Sequence, residues 1–360
     1  MSLTGTPFFV LLIVATVFCV VGTMVLWSLL RGPRSLRWVL RLLMIGCCQL
    51  TAISVVATWI NNSYGLYASW DDLLGRDNST GTVAMPGPPP DRAKFTRGDT
   101  GLMDTYFRGA HSKLSGEVVV WTPPQYDSPQ YRNTRFPVVM LLHGVPGSPA
   151  SWIEHGGIPK DFQQLVNQGT VHPFILAMPV VDPGGIDTDC TDVPDRKVAT
   201  WMARDVPELI SRKFRTLPGA HGWGLMGYST GGFCAARLPL VYPSVFAAGV
   251  ALDPDPLTGD KGVIKDPALR ERTSPTGLVR HSTAGVSLFL ATSAQDRLSP
   301  PSYIQQFVRA AAGTRVQTQT LVLPSGGHNY NTWTRMYPDA FGFLSHRLDA
   351  PHTTRAKAPR

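Results

Sequence analysis

The first 30 residues contain no charged side chain, and no lysine or arginine precedes the first apolar run. A secretory signal peptide carries a basic segment ahead of its apolar core, so the missing charge speaks for a retained span instead. Metal-ligand patterns are absent too. The nine histidines are scattered, with neither an H-x-x-x-H nor a paired Cys/His spacing, so no metal site is expected. No basic stripe interleaved with aromatics appears, which excludes a nucleic-acid footprint, and there are no internal repeats. Cysteine is scarce. Of five, Cys19, Cys47 and Cys48 lie in apolar stretches, leaving Cys190 and Cys234 for the polar remainder. An even pair in an oxidising compartment invites a disulfide, with two buried thiols as the alternative.

What is present begins with two apolar runs. As a helix, Pro7 to Leu30 would reach about 36 Å, enough for a hydrocarbon core of about 30 Å. A second run, Leu42 to Ile60, is charge-free but carries Gln49, Thr51, Ser54 and Thr58. The expected arrangement is a transmembrane helical hairpin over residues 1–60, with spans at about 7–30 and 38–60 and a loop at 31–37. Arg31, Arg34, Arg37 and Arg41 cluster between the spans, so the positive-inside rule places that loop in the cytoplasm and both flanks outside. Those four arginines supply half of the formal net charge of +8, and the basic tail at 349–360, with Arg347, supplies most of the rest. The body between them is near neutral.

Residues 61–99 read as an interfacial segment and a linker. Trp59, Tyr64, Tyr67 and Trp70 suit a headgroup region, and Met85-Pro-Gly-Pro-Pro-Pro90 suits a semi-rigid tether. Residues 100–348 have the length of a single α/β core. Within them, buried-strand runs at Phe136 to Gly144, Phe174 to Val181, Gly222 to Met226, Val286 to Asp296 and Val316 to Leu323 alternate with helical patterns such as Ala199 to Phe214. That rhythm predicts an α/β fold with a mostly parallel sheet, helices on both faces, and a site at the carboxyl ends of the strands.

The chemistry gathers at Gly227-Tyr-Ser-Thr-Gly231, which fits the G-x-S-x-G nucleophile elbow, where a strand turns sharply into a helix beneath an exposed serine. Gly227 and Gly231 are required there because a Cβ would meet neighbouring backbone. Downstream, Asp296 follows one strand and His328 the next, and the order Ser229, Asp296, His328 is that of α/β-hydrolases. Asp253 and Asp255, in Ala251-Leu-Asp-Pro-Asp-Pro256, compete with Asp296 for the acid's place. His143 reads as a strand-end histidine shaping the following loop.

Gly-Tyr-Ser-Thr-Gly-Gly with Leu240-Val-Tyr-Pro-Ser-Val-Phe246, Leu141-Leu-His-Gly144, and Gly327-His-Asn-Tyr-Asn-Thr-Trp333 resemble the esterase D and mycolyltransferase branch of the α/β-hydrolase superfamily. The resemblance runs from about Val118 to about Leu348. It implies a nucleophile at Ser229, a base at His328, and oxyanion donors on the backbone of Val145 and Thr230. Mycolyltransferases carry Glu as the acid, whereas the candidate here is Asp296, which favours hydrolysis over acyl transfer. Such a site needs no cofactor. The expectation is a two-pass cell-membrane protein whose extracytoplasmic domain hydrolyses acyl or aminoacyl esters of lipid or envelope. An acyltransferase and a non-catalytic anchored binding protein are the alternatives, and oligomeric state is left open.

Overall fold

The computed structural model describes residues 6–64, 94–97 and 101–353, and the chain divides into two compact units, Met1–Gly81 and Thr82–Arg360. In the first unit, helix α1 spans Thr6–Leu29 and helix α2 spans Arg34–Tyr64. Thr23 Oγ1 meets Cys48 Sγ at 3.3 Å, and Arg41 donates to the Trp27 carbonyl at 3.3 Å while stacking over the Trp27 ring. Contacts pairing 23 with 48 and 27 with 41 define an antiparallel hairpin. Both helices are long and apolar enough to cross a membrane. The connection is shorter than the expected 31–37 loop. Gly32, at φ +126°, makes the turn, and Pro33, whose fixed φ suits a helix start, lets α2 begin at Arg34. Arg34, Arg37 and Arg41 therefore lie on α2 rather than in a loop. Tyr67, Trp70 and the proline-rich stretch at 85–90 lie outside the described residues, as do residues 354–360 of the expected tail.

The second unit is built on a nine-stranded sheet. Its strands are β1 (Thr96–Arg97), β2 (Met103–Arg108), β3 (Ser115–Trp121), β4 (Val138–Leu142), β5 (Ile175–Pro179), β8 (Trp223–Ser229), β9 (Ala248–Pro254), β10 (Ser287–Ser293) and β11 (Gln317–Leu323). The pair β6 (Asp192–Val193) and β7 (Arg196–Lys197) forms a separate ribbon. The order is β1-β2-β3-β5-β4-β8-β9-β10-β11. From β5 to β11 all neighbours are parallel, and β1, β2 and β3 add an antiparallel edge. The sheet thus begins before residue 100, because Thr96 and Arg97 pair with Asp104 and Met103. At the other end, Asp349 N–H donates to the His221 carbonyl and His352 bridges to Arg135, so the folded body runs past Leu348.

The apolar runs are continuous because both faces of each central strand are covered. In β4, Val139 and Leu141 pack on one face with Trp152, Phe162 and Phe341, while Val138, Met140 and Leu142 pack on the other with Trp201, Leu209 and Leu238. The first face is roofed by α4 (Lys160–Asn167), which follows the single turn α3 (Ser151–Glu154), and by α10 (Tyr330–Arg347). The second carries α5 (Val206–Lys213) and α6 (Thr230–Val241), and beyond α7 (Pro267–Thr273) and α8 (Pro275–Val279) comes α9 (Pro301–Ala311), whose Ile304 and Phe307 are buried against β10. The expected helix at 199–214 is interrupted by a π-turn at Trp201–Asp205. Pro207, with no N–H to donate, sits just beyond it and disfavours a regular α-register there. Between β4 and β8 the strand order reverses, which opens a crevice at the carboxyl ends of these strands.

Candidate active site

Strand β8 ends at Ser229 and α6 starts at Thr230, so a buried strand becomes a helix within one residue. Ser229 sits at φ 55°, in the left-handed region that a side chain adopts only when its surroundings hold it there. Two glycines make the corner possible. A Cβ on Gly227 would lie 2.1 Å from the Gly231 carbonyl oxygen, and one on Gly231 would lie 2.1 Å from that of Leu142. The loop after β4 closes on Ser229, since a Cβ on Gly144 would lie 3.0 Å from Ser229 Cβ.

Three loops then bring the chemistry together. His328, after β11, places Nε2 at 3.0 Å from Ser229 Oγ and Nδ1 at 2.8 Å from Asp296 Oδ2. Asp296, after β10, turns its other oxygen to the backbone N–H groups of Leu298 and Ser299, at 2.8 and 3.0 Å. Four donors therefore fix one carboxylate and one imidazole. Trp333, on α10, stands edge-on to the His328 ring with centroids 5.4 Å apart and stacks on Tyr228 at 4.2 Å.

Electrostatics follow from this packing. Burial pulls the His328 pKa down, but the hydrogen bond and charge of Asp296, with Asp253 and Asp255 behind it, outweigh burial and raise it above 6.5. Burial raises the Asp296 pKa, and the bonds to His328, Ser299 and Leu298 more than reverse that. Asp253 goes the other way. Burial and the neighbouring Asp296 push it up to about 7, while its Oδ2 accepts from Trp333 Nε1 at 2.7 Å. Asp296 is thus the carboxylate that meets the imidazole, and Asp253 meets the indole. Although the donor atoms of Asp253, Asp296 and His328 all fall within 4.8 Å of one another, His328 already spends both nitrogens within the hydrogen-bonded chain.

Asp255, the other rival, lies against Ser229 itself. Ser229 Oγ donates to its Oδ1 at 3.3 Å and Thr230 Oγ1 to its Oδ2 at 2.6 Å. His143 is fully buried. Its Nε2 accepts from Val181 N–H at 3.0 Å, so Nδ1 carries the proton and donates to the Gly144 carbonyl at 2.7 Å. Burial lowers its pKa to about 4, so it is a neutral brace for the loop that presents Val145. Thr230 opens a 12-residue helix, where a first-turn N–H has no intrahelical acceptor. Cys190 and Cys234 are joined as a disulfide across 5.5 Å between Cα atoms, which ties the loop before β6 to the first turns of α6. Buried Arg237, one turn further along, donates to the Cys190 carbonyl at 2.8 Å.

The sequence pattern that describes the alpha/beta hydrolase fold matches residues 137–343 of this chain. The chain belongs to the alpha/beta hydrolase fold family. This alpha/beta hydrolase is 23% identical over 251 residues to an uncharacterised protein of Corynebacterium glutamicum, a match covering 64% of this chain and 57% of the relative. It therefore spans a little over half the length of that curated relative. Among solved structures, a ferulic acid esterase shares 19% identity at a TM-score of 0.59, covering 68% of this chain and 97% of its own. The S-formylglutathione hydrolase from Agrobacterium tumefaciens shares 19% at 0.57, covering 71% and 99%. FphF, a fluorophosphonate-binding serine hydrolase of Staphylococcus aureus, shares 13% at 0.51, covering 68% and 98%. At such identities the likeness is one of fold.

Two features of this alpha/beta hydrolase escaped sequence reasoning. Asp255 was visible only as a competitor for the acid's place, and its contact with Ser229 depends on β9 lying beside β8. The antiparallel strand β2 was missed because Met103–Arg108 mixes Asp104, Thr105 and Arg108 into a half-exposed edge, and the signal that could have found β3 is its buried apolar run Val118 to Trp121.

Proposed function

We propose that this protein is a membrane-anchored serine esterase that hydrolyses acyl or aminoacyl esters at the outer face of the membrane. The observation that carries the reading is the hydrogen-bonded chain from Ser229 Oγ through His328 to Asp296 at the carboxyl ends of parallel strands. A serine hydroxyl is a poor nucleophile until a neutral imidazole takes its proton, and His328 Nε2 stands at that distance. As Oγ bonds to the ester carbonyl carbon, the proton passes to Nε2, and the carbonyl electrons move onto an oxyanion received by the Thr230 and Val145 N–H groups. Each such donor is worth on the order of 3 kcal/mol in the transition state. Collapse of the oxyanion expels the alcohol, which takes the proton from Nε2. Water repeats the steps on the acyl-enzyme. Asp296 holds the tautomer with the proton on Nδ1 and stabilises the imidazolium.

Anchoring is supported by α1 and α2, and the arginines between and just after their junction favour a cytoplasmic turn with residues 100–348 outside. Ser229→Ala tests the chemistry: a fluorophosphonate probe should label the wild type and not the variant, and the wild type should release the acid and alcohol from a simple ester. Equal labelling of both would remove Ser229 from the mechanism. Fused after Ser69, a periplasm-active reporter should be active and a cytoplasm-active one silent, and activity of the cytoplasmic reporter would overturn this topology.

A further inference from the structure

Asp255 is an unusual neighbour for a nucleophile. Its Oδ1 lies 3.3 Å from Ser229 Oγ, against 3.0 Å for His328 Nε2, so two acceptors face a single hydroxyl proton. A carboxylate there also opposes the oxyanion that must form close by, so it works against neutral esters. It is built in nonetheless. Thr230 Oγ1 donates to its Oδ2 at 2.6 Å, its own N–H donates to the Ser229 carbonyl at 3.3 Å, and the N-terminus of α6 lies beside it. Burial raises its pKa, as it does for Asp187 and Asp189 in the adjoining loop; Asp189 also feels Asp187, Asp255 and Asp260, and Asp187 feels Asp255 and Asp260.

Asp189 carries a second, independent sign. It is fully buried, and among the described residues its Oδ2 takes only a long 3.4 Å bond from Asp260 N–H and its Oδ1 has no partner. The loop holding it is braced by the Cys190–Cys234 disulfide and by Arg237. A rigid, buried set of carboxylates with an unspent acceptor is a site that a cation would relieve.

We propose that Asp255 selects esters whose acyl group carries an α-ammonium, so that the preferred substrates are aminoacyl esters. This deepens, and depends on, the serine-esterase reading. In a near-attack complex the carbonyl carbon lies about 3–3.5 Å from Oγ, and an α-nitrogen is only two bonds further on. An α-ammonium therefore falls within reach of a carboxylate oxygen that touches Oγ. By accepting from the ammonium, Asp255 Oδ1 gives up the serine hydroxyl, whose proton then points to His328 Nε2. A neutral acyl group leaves the competition in place and the carboxylate uncompensated.

The test compares L-alanine benzyl ester with benzyl isobutyrate, which replaces the ammonium by a methyl group of similar size. Full-length protein in detergent micelles is assayed, with each rate divided by the fraction of sites that a fluorophosphonate labels. Wild type should favour the alanyl ester in kcat/KM by roughly 10²-fold. D255N should bring that ratio down at least tenfold, and D255E should restore part of it. A wild-type ratio near one overturns the proposal whatever the variants do, and so does an unchanged ratio in D255N. Ser229 that labels but shows no preference refutes this inference alone. Failure of Ser229 to label refutes the esterase reading and the inference together.

Discussion

Asp296→Asn isolates the step in which a carboxylate sets the imidazole tautomer. Asp296 Oδ1 accepts two backbone N–H groups, from Leu298 and Ser299, so the amide oxygen of an asparagine must take that place. Its NH2 group then faces His328 Nδ1, where Oδ2 stood at 2.8 Å. Two donors cannot meet, so Nδ1 loses its proton and Nε2 keeps one. With Nε2 protonated, the Ser229 proton has nowhere to go. The loss expected in kcat is about 10³–10⁴-fold, or roughly 4–5.5 kcal/mol of transition-state stabilisation. The pH profile should move as well. His328 must be neutral to act, so wild-type kcat/KM should rise with pH through a midpoint above 6.5; without Asp296 the burial effect prevails and the midpoint should fall. Asp253→Asn is the control, because Asp253 bonds Trp333 rather than the imidazole. It should cost under about tenfold. Steady-state kinetics on a simple ester from pH 5 to 9, with fluorophosphonate titration of active sites, measures both. If D253N lost 10³-fold while D296N stayed within tenfold, Asp253 would be the acid and the reasoning would be refuted.

Other outcomes follow from the loop beside the site. Opening the Cys190–Cys234 bond, by reduction or by C190A/C234A, frees a chain closure with 44 residues of separation, which the chain-entropy relation values at about 4 kcal/mol as an upper figure. The folded domain should melt at lower temperature, and an unchanged melting curve would argue that the bridge constrains little. Asp189 is held at about 7 by burial and by neighbouring carboxylates, so the folded chain keeps a proton that the unfolded chain releases near pH 4. Stability from that group is present below pH 4 and is lost as pH rises to 7. Asp189→Asn should therefore exceed wild type at pH 8 by on the order of 2–4 kcal/mol in denaturant melts and show no such gain at pH 4. Equal gains at both pH values would refute the titration account.

The elbow was legible because a close backbone crossing leaves only glycine at positions two before and two after the serine, and that requirement is local. The central strands were legible for a similar reason: strands covered on both faces need unbroken apolar runs such as Pro137 to Leu142. Edge strand β1 and the half-exposed strand β2 carry no such signature, since one face or edge meets water, whereas β3 does carry one in the buried run Val118 to Trp121. The start of α2 was misplaced because arginines read as loop residues until Gly32 and Pro33 are seen to complete the turn alone. Among three aspartates near the carboxyl ends of strands, sequence order could name candidates but could not rank them by contact.

The chain by itself therefore determined the α/β-hydrolase architecture, the two apolar helices and the serine and histidine at the corners, because steric exclusion and hydrophobic periodicity act over neighbouring residues. Only the tertiary structure decided which carboxylate meets the imidazole, which one lies against Ser229 and which one accepts from the Trp333 indole. Those roles are set by distances of about 3 Å between loops from separate strands, and hydrogen bonding at that range depends on how the sheet orders β8, β9, β10 and β11 side by side.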